Sequence, residues 1–158
     1  MLLEIYLNDH LAAATGGRDL ARRAAASNRD SEYGPFLQRL ADEITEDRES
    51  LVSIMRALNV KVDPIKVLVG MGAEKVGRLK LNGRLLGYSP LSRLVELETL
   101  SLGVHGKLAL WRSLQQLEPT LLPPGYGLLP ELVVRAQRQL EELEVHRQRA
   151  STEALTSD

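Results

Sequence analysis

The chain contains no cysteine and few aromatic residues, with one Trp, one Phe and four Tyr. The absence of cysteine excludes disulfides, thiolate metal sites, iron–sulfur clusters and a cysteine nucleophile. The scarcity of aromatic rings removes the stacking surfaces on which proteins bind single-stranded nucleic acids. Any metal bound by this chain would therefore depend on oxygen and imidazole ligands.

A charge excess and long hydrophobic runs are also lacking. The chain has 20 Lys and Arg residues against 21 Asp and Glu residues, whereas a general nucleic-acid binder would show a strong basic excess. The longest uncharged stretch, 119–130, is too short and too rich in Pro and Gly to span a bilayer. Because Glu4, Asp9 and Arg18 interrupt the N-terminal region, no signal peptide is expected. These absences predict a cytoplasmic protein without nucleic-acid or membrane partners.

Apolar residues recur every three or four positions along most of the 158 residues, which predicts helices and no strands. Helix starts are indicated by Asp63 and Ser89, each of which precedes a proline, and a helix end by Asn59. Pro119 is expected to end the third long helix after about residue 117. The length suits a single domain over 1–150, followed by a flexible C-terminal tail over 151–158.

Four long helices and a shorter one predict an all-α four-helix bundle. The shorter helix, about 64–81, lies in the long connection between helices two and three. One long second-to-third connection combined with two short ones is the ferritin-like wiring. A plain up-and-down bundle remains the alternative, since the sequence does not give the direction of the crossover.

Six polar residues lie on or beside the apolar stripes near the middle of their helices, and they include every histidine of the chain: His10, Asp47, Glu98, His105, Glu142 and His146. Buried charges are costly unless they are paired or bind a metal. The set therefore predicts either a site for iron, manganese or zinc, or a layer of ion pairs in which His10 or Arg112 meets Asp47 or Glu98. A third alternative is that these groups are partly exposed.

The spacing favours the ion-pair layer over the metal site. Di-iron bundles use a Glu-x-x-His pair on each of two helices, and no Asp or Glu of this chain is followed three residues later by His. No cofactor is favoured, and a divalent metal is kept as the alternative. A Gly-x-Ser-x-Gly nucleophile motif and a phosphate-binding loop are also missing, so an enzyme is not favoured.

A cationic strip stands out between residues 61 and 93, where seven basic residues are balanced by only two acidic ones. Such a strip could receive an acidic protein or an anionic ligand, although a solvated face is the favoured interpretation. The residues selected as the strip are Lys75, Arg78, Lys80, Arg84 and Arg93.

Helix three is apolar nearly all round, which is typical of a helix that is central or that also faces a partner subunit. The shorter helix could cover this surface, and a homodimer is an equally reasonable explanation. The function predicted from these patterns is a binding or structural module that self-associates or docks a partner. The alternative is a degenerate carboxylate and histidine metal-binding bundle.

Several segments resemble a group of uncharacterised actinobacterial helical proteins. They are residues 73–84, 88–98 and 106–111, together with a start at 6–11. The resemblance covers most of the chain and implies a single helical domain, with wiring similar to that of the ferritin-like superfamily. It implies a fold and no reaction.

Overall fold

The structure is a computed structural model that describes residues 2–66, 87–121 and 127–156. These residues form four long α-helices and contain no strand, so the all-α prediction is confirmed for them. The helices are α1 (Leu2–Ser27), α2 (Gly34–Ala57), α3 (Pro90–Leu121) and α4 (Leu129–Leu155).

The predicted helix signals lie where the sequence placed them. The amide of Ser92 donates to the Ser89 hydroxyl at 3.2 Å at the start of α3. The Asp63 carboxylate accepts from the amide of Ile65 at 2.9 Å, and residues 64–66 form a first helical turn. Asn59 has a φ of 54° just after α2, the left-handed conformation that ends a helix. The remainder of the predicted helix over 64–81 falls outside the described residues.

Two predicted ends are wrong, because both helices continue further. The helix α3 passes Pro119 and ends at Leu121. A proline this close to the end removes one amide hydrogen bond from the last turn only. The helix α4 runs to Leu155, so residues 151–155, which the sequence assigns to the tail, are helical. Ala150 is buried there and Glu153 pairs with Arg93 of α3, which holds this last turn to the bundle.

A tight turn joins α1 to α2, and Gly34 is required in it. A Cβ atom on this residue would lie 2.6 Å from the carbonyl oxygen of Arg29 and 2.8 Å from that of Asn28. Both are backbone atoms, so a larger residue would force the turn apart. The glycine thereby lets α2 begin immediately beside the end of α1.

The helices form two antiparallel hairpins, α1 with α2 and α3 with α4, which also contact each other through α1 and α3. Asn28, at the end of α1, binds Tyr88 just before α3 and Arg93 in its first turn, with 2.6 Å to the Tyr88 hydroxyl and 2.6 Å to Nε of Arg93. At the other end of the bundle, Asn8 binds the carbonyl of Lys61 at 2.9 Å. The connection 58–89 therefore starts at one end of the bundle and finishes at the other.

The core is a single cluster of leucine, isoleucine, alanine and aromatic side chains between the four helices. It includes the predicted inward residues of α2, Leu37, Leu40, Leu51 and Ile54, each at most 2% exposed. No helix in the described ranges has the length and apolar character that crossing a bilayer would require.

Candidate functional site

A cluster of charged and amide side chains joins α2 to α4 across the bundle, with one lysine from α3. We call it the polar seam, and its members are Glu43, Asp47, Lys107, Arg135, Arg138 and Gln139. At its centre, the Lys107 ammonium donates to Asp47 at 2.5 Å and to the side-chain carbonyl of Gln139 at 2.6 Å. Asp47 is 2% exposed and Gln139 is fully buried. The seam is therefore an ion-pair layer inside an otherwise apolar bundle.

The outer part of the polar seam is a series of arginine–carboxylate pairs whose arginine side chains are partly exposed. Arg135 reaches Asp47 at 3.1 Å, and Arg138 reaches Glu43 at 2.7 Å. Gln139 donates to Glu43 at 2.9 Å and so links the outer pairs to the buried centre. Every oxygen of the two carboxylates thus has a donor, which is the condition under which buried acids are tolerated.

Burial and pairing shift the pKa values of two seam residues. Burial lowers the pKa of Lys107 below its usual 10.5, and the neighbouring Asp47 carboxylate opposes this shift. Partial burial tends to raise the pKa of Glu43. The hydrogen bonds from Gln139 and Arg138 outweigh that effect, so the pKa of Glu43 lies below its usual 4.5. Glu43 is therefore charged near neutral pH.

The shift at Glu43 predicts an acid-dependent contribution to stability. A carboxyl whose pKa is lower in the folded chain stabilises it above its usual pKa, and this stabilisation is lost as the pH falls through the folded-state value. We expect Glu43→Gln to cost about 1–2 kcal/mol of unfolding free energy at pH 7, with the gap closing below about pH 4.5. Urea unfolding across the pH range measures it. Glu46→Gln, at a carboxylate that is 65% exposed, is the control. A gap that stays constant down to about pH 3 would contradict the prediction.

Asp47 is the predicted site residue that the structure places at the centre of a polar layer. The prediction of its partners is wrong, because Asp47 binds Lys107 and Arg135 and not His10 or Arg112. The sequence did hold a signal for the missed lysine: Lys107 follows Val104 by three residues and precedes Trp111 by four, which places it on the inward stripe of α3. Gln139 has the same relation to its inward neighbours on α4.

Glu98 and His105 are exposed on α3, away from Asp47. The side chain of Glu98 is 49% exposed and lies 3.8 Å from Arg147 of α4. The six selected residues therefore do not form the predicted common layer, because α3 is rotated so that this flank faces outward. Within the described ranges, no group of three or more histidine and carboxylate side chains is close enough to hold a metal ion.

His10 and His146, two of the three remaining selected residues, lie in separate environments. His10 packs edge-on against Tyr6 with 4.6 Å between the ring centres, and its burial lowers the pKa against the opposing effect of Asp9. His146 stacks flat on Phe36 at 3.9 Å, and its Nδ1 lies 2.8 Å from the carbonyl oxygen of Glu142.

Glu142 is tied into ion pairs with arginines of two helices. Its carboxylate lies 2.6 Å from Arg39 of α2 and 3.6 Å from Arg138 of α4. Glu142 and His146 therefore connect α4 to α2 through other residues and do not chelate together.

The cationic strip is described only at its last residue, since Lys75, Arg78, Lys80 and Arg84 fall outside the described residues. Arg93 is bound within the fold. It donates to Asn28 at 2.6 Å and to Glu153 at 3.0 Å, and it lies over the ring of Tyr33 at 4.4 Å. Arg93 thus joins the end of α1 to α3 and α4, and its guanidinium is already paired with Glu153.

The side of α3 opposite to the core is a second feature of the described chain. We call it the outer face, and its positions, on one stripe of the helix, are Leu91, Val95, Thr99, Leu102, Gly106, Ala109 and Ser113. None of these residues is charged, and Leu102 is 73% exposed. Beside them runs a charged flank of Glu98, His105 and Arg112, all exposed. The outer face is thus an uncharged surface with a charged border.

No protein-family model, curated protein or solved structure matches this chain, so its function has to be inferred from its own residues.

Proposed function

We propose that this protein is a helical binding module with ferritin-like wiring, and that it acts by self-association through the outer face of α3 and not by catalysis. The wiring is supported by the connection 58–89, which begins and finishes at opposite ends of the bundle, while 28–33 and 122–128 are short.

The observation that carries the self-association is the lack of charge on the outer face. A helix at the surface of a bundle normally displays charged residues on the side opposite to the core. α2 follows this rule, with exposed Asp42, Glu46 and Glu49. The outer face of α3 instead presents Leu91 and Leu102, which are 47% and 73% exposed, among small uncharged residues. Such a surface gains free energy when a second surface removes it from water.

The polar seam does not favour catalysis. Its carboxylates and cations are already paired with each other, and Lys107 and Gln139 fill the space at its centre. A general acid or base needs a substrate within hydrogen-bond reach, and the buried centre of the seam is occupied by its own partners. The seam therefore supports the fold.

The experiment is a comparison of Leu102→Glu with the unmodified chain by multi-angle light scattering over a concentration series. The unmodified chain is expected to form dimers, and the variant to raise the dissociation constant at least about tenfold, because a charge would enter an apolar contact. Val134→Glu is the matched control, since Val134 is 64% exposed on α4. A monomer for the unmodified chain at all concentrations, or equal effects of both variants, would refute the proposal.

A further inference from the structure

We infer that the occupant of the outer face is a second copy of this chain, whose α3 packs antiparallel to the first about a two-fold axis next to His105. This inference rests on the proposed self-association and adds the orientation and register of the two helices. It is based on the order of charges along the flank and on the sizes of the side chains along the outer face.

The charged flank has an acid at one end and a base at the other. Glu98, His105 and Arg112 are seven residues apart, which is close to two helical turns and keeps them on one side of α3. The side chain of Glu98 is 49% exposed, with Arg147 no nearer than 3.8 Å. Arg112 is exposed and forms no ion pair with any described residue. Both charges are thus accessible to a second molecule.

A two-fold axis that crosses two facing helices at right angles makes them antiparallel and brings the same flank of each together. If the axis passes beside His105, residue 98 of one copy lies opposite residue 112 of the other, twice in the dimer. Each contact then places a carboxylate next to a guanidinium. A parallel pairing about a two-fold axis along the helices would carry the two charged flanks to opposite sides of the pair, so that Glu98 and Arg112 would not meet across the contact. The flank therefore favours the antiparallel orientation.

The outer face fits the same register. With the axis beside His105, Leu102 of one copy lies within about one residue's rise of the level of Ala109 of the other, so that the largest exposed side chain of the face meets a small one. Gly106 lies next to the axis, where a Cβ atom would have no neighbour within 4 Å in the single chain. The missing side chain leaves room for the two helices to approach closely, since their separation depends on the residues at the contact.

The first test reverses the charges. Glu98→Arg and Arg112→Glu should each raise the dissociation constant about tenfold, because each places like charges opposite each other. The double variant should return to within about threefold of the unmodified chain, since its pairs are reformed with opposite sign. Glu141→Arg, at an exposed residue of α4, is the control. No recovery in the double variant would overturn the register.

The second test uses the absence of cysteine from the chain. A disulfide requires Cα atoms within about 7 Å. His105→Cys should therefore give a covalent dimer on oxidation, because the two copies of residue 105 lie side by side. Gln116→Cys, an exposed position beside the same face, should not, since its two copies are about 33 Å apart.

The outcomes separate this inference from the proposal on which it rests. Cross-linking of both variants would overturn the inferred register, as would cross-linking of neither. In both cases, a dimer that is sensitive to Leu102→Glu would still support the proposed self-association. An unmodified chain that is monomeric by light scattering would overturn both. Circular dichroism of each variant confirms that the helices are retained.

Discussion

Replacing Asp47 by alanine is expected to lower the free energy of unfolding by about 3 kcal/mol, because it leaves the Lys107 ammonium buried without its counter-charge. Lys107 keeps Gln139 as an acceptor, at 2.6 Å, and this places the loss at the lower end of the range for a broken buried pair. Urea unfolding followed by circular dichroism at neutral pH measures it.

A matched control variant and a double variant distinguish the loss of the buried ion pair from a loss of side-chain packing. Asp42→Ala, at an exposed residue of α2, is expected to change the free energy of unfolding by less than about 0.5 kcal/mol. The combination of Asp47→Leu with Lys107→Met removes both charges and should stay within about 1 kcal/mol of the unmodified chain, or exceed it. If Asp47→Ala costs as little as the control, the buried pair does not stabilise the fold.

Trp111→Ala is expected to lower the free energy of unfolding by about 4 kcal/mol, because it removes the largest side chain of the core. Trp111 is 1% exposed, and its Nε1–H has no hydrogen-bond partner among the described residues. Trp111→Phe should cost much less, about 1–2 kcal/mol. The smaller ring loses contacts, but it also removes a buried donor that is unpaired in the folded chain.

Chemical unfolding followed by circular dichroism compares the two variants at Trp111. The unmodified chain offers a second probe, since its single tryptophan makes fluorescence a direct report on the core. An equal loss for Trp111→Phe and Trp111→Ala would contradict the reasoning, because it would mean that the indole N–H contributes a favourable bond. The comparison therefore tests packing and the unpaired donor together.

The helix ends that depend on local chemistry could be predicted from the sequence. The side-chain caps of Asp63 and Ser89 and the left-handed Asn59 act within a few residues, so their neighbours alone determine them. The ends that the sequence predicts for α3 and α4 lie several residues before the observed ones. Pro119 and the small, polar residues from Ser151 onward are typical of a helix end, yet both helices continue past them. For α4, the contact of Glu153 with Arg93 comes from a distant part of the chain.

The candidate site could be predicted only where the inward face of a helix was evident. On α2 the charged and apolar sides are distinct, so Asp47 on the apolar stripe was correctly expected to be buried. α3 is apolar nearly all round, and its pattern does not show which stripe faces the core. The sequence therefore assigned Glu98 and His105 to the interior, whereas Lys107 on another stripe is the residue that enters it.

The two hairpins are held together by contacts of different physical origin on the two sides of the bundle. α1 and α3 contribute apolar side chains to the common core, where contacts weaken on cooling, and they are also joined by the Arg23–Glu96 pair at 3.7 Å. α2 and α4 are joined by arginine–carboxylate pairs in and beside the polar seam, and salt weakens the exposed members of such pairs. Ionic strength therefore acts most strongly where α2 and α4 meet, whereas cooling acts on the apolar core that both hairpins share.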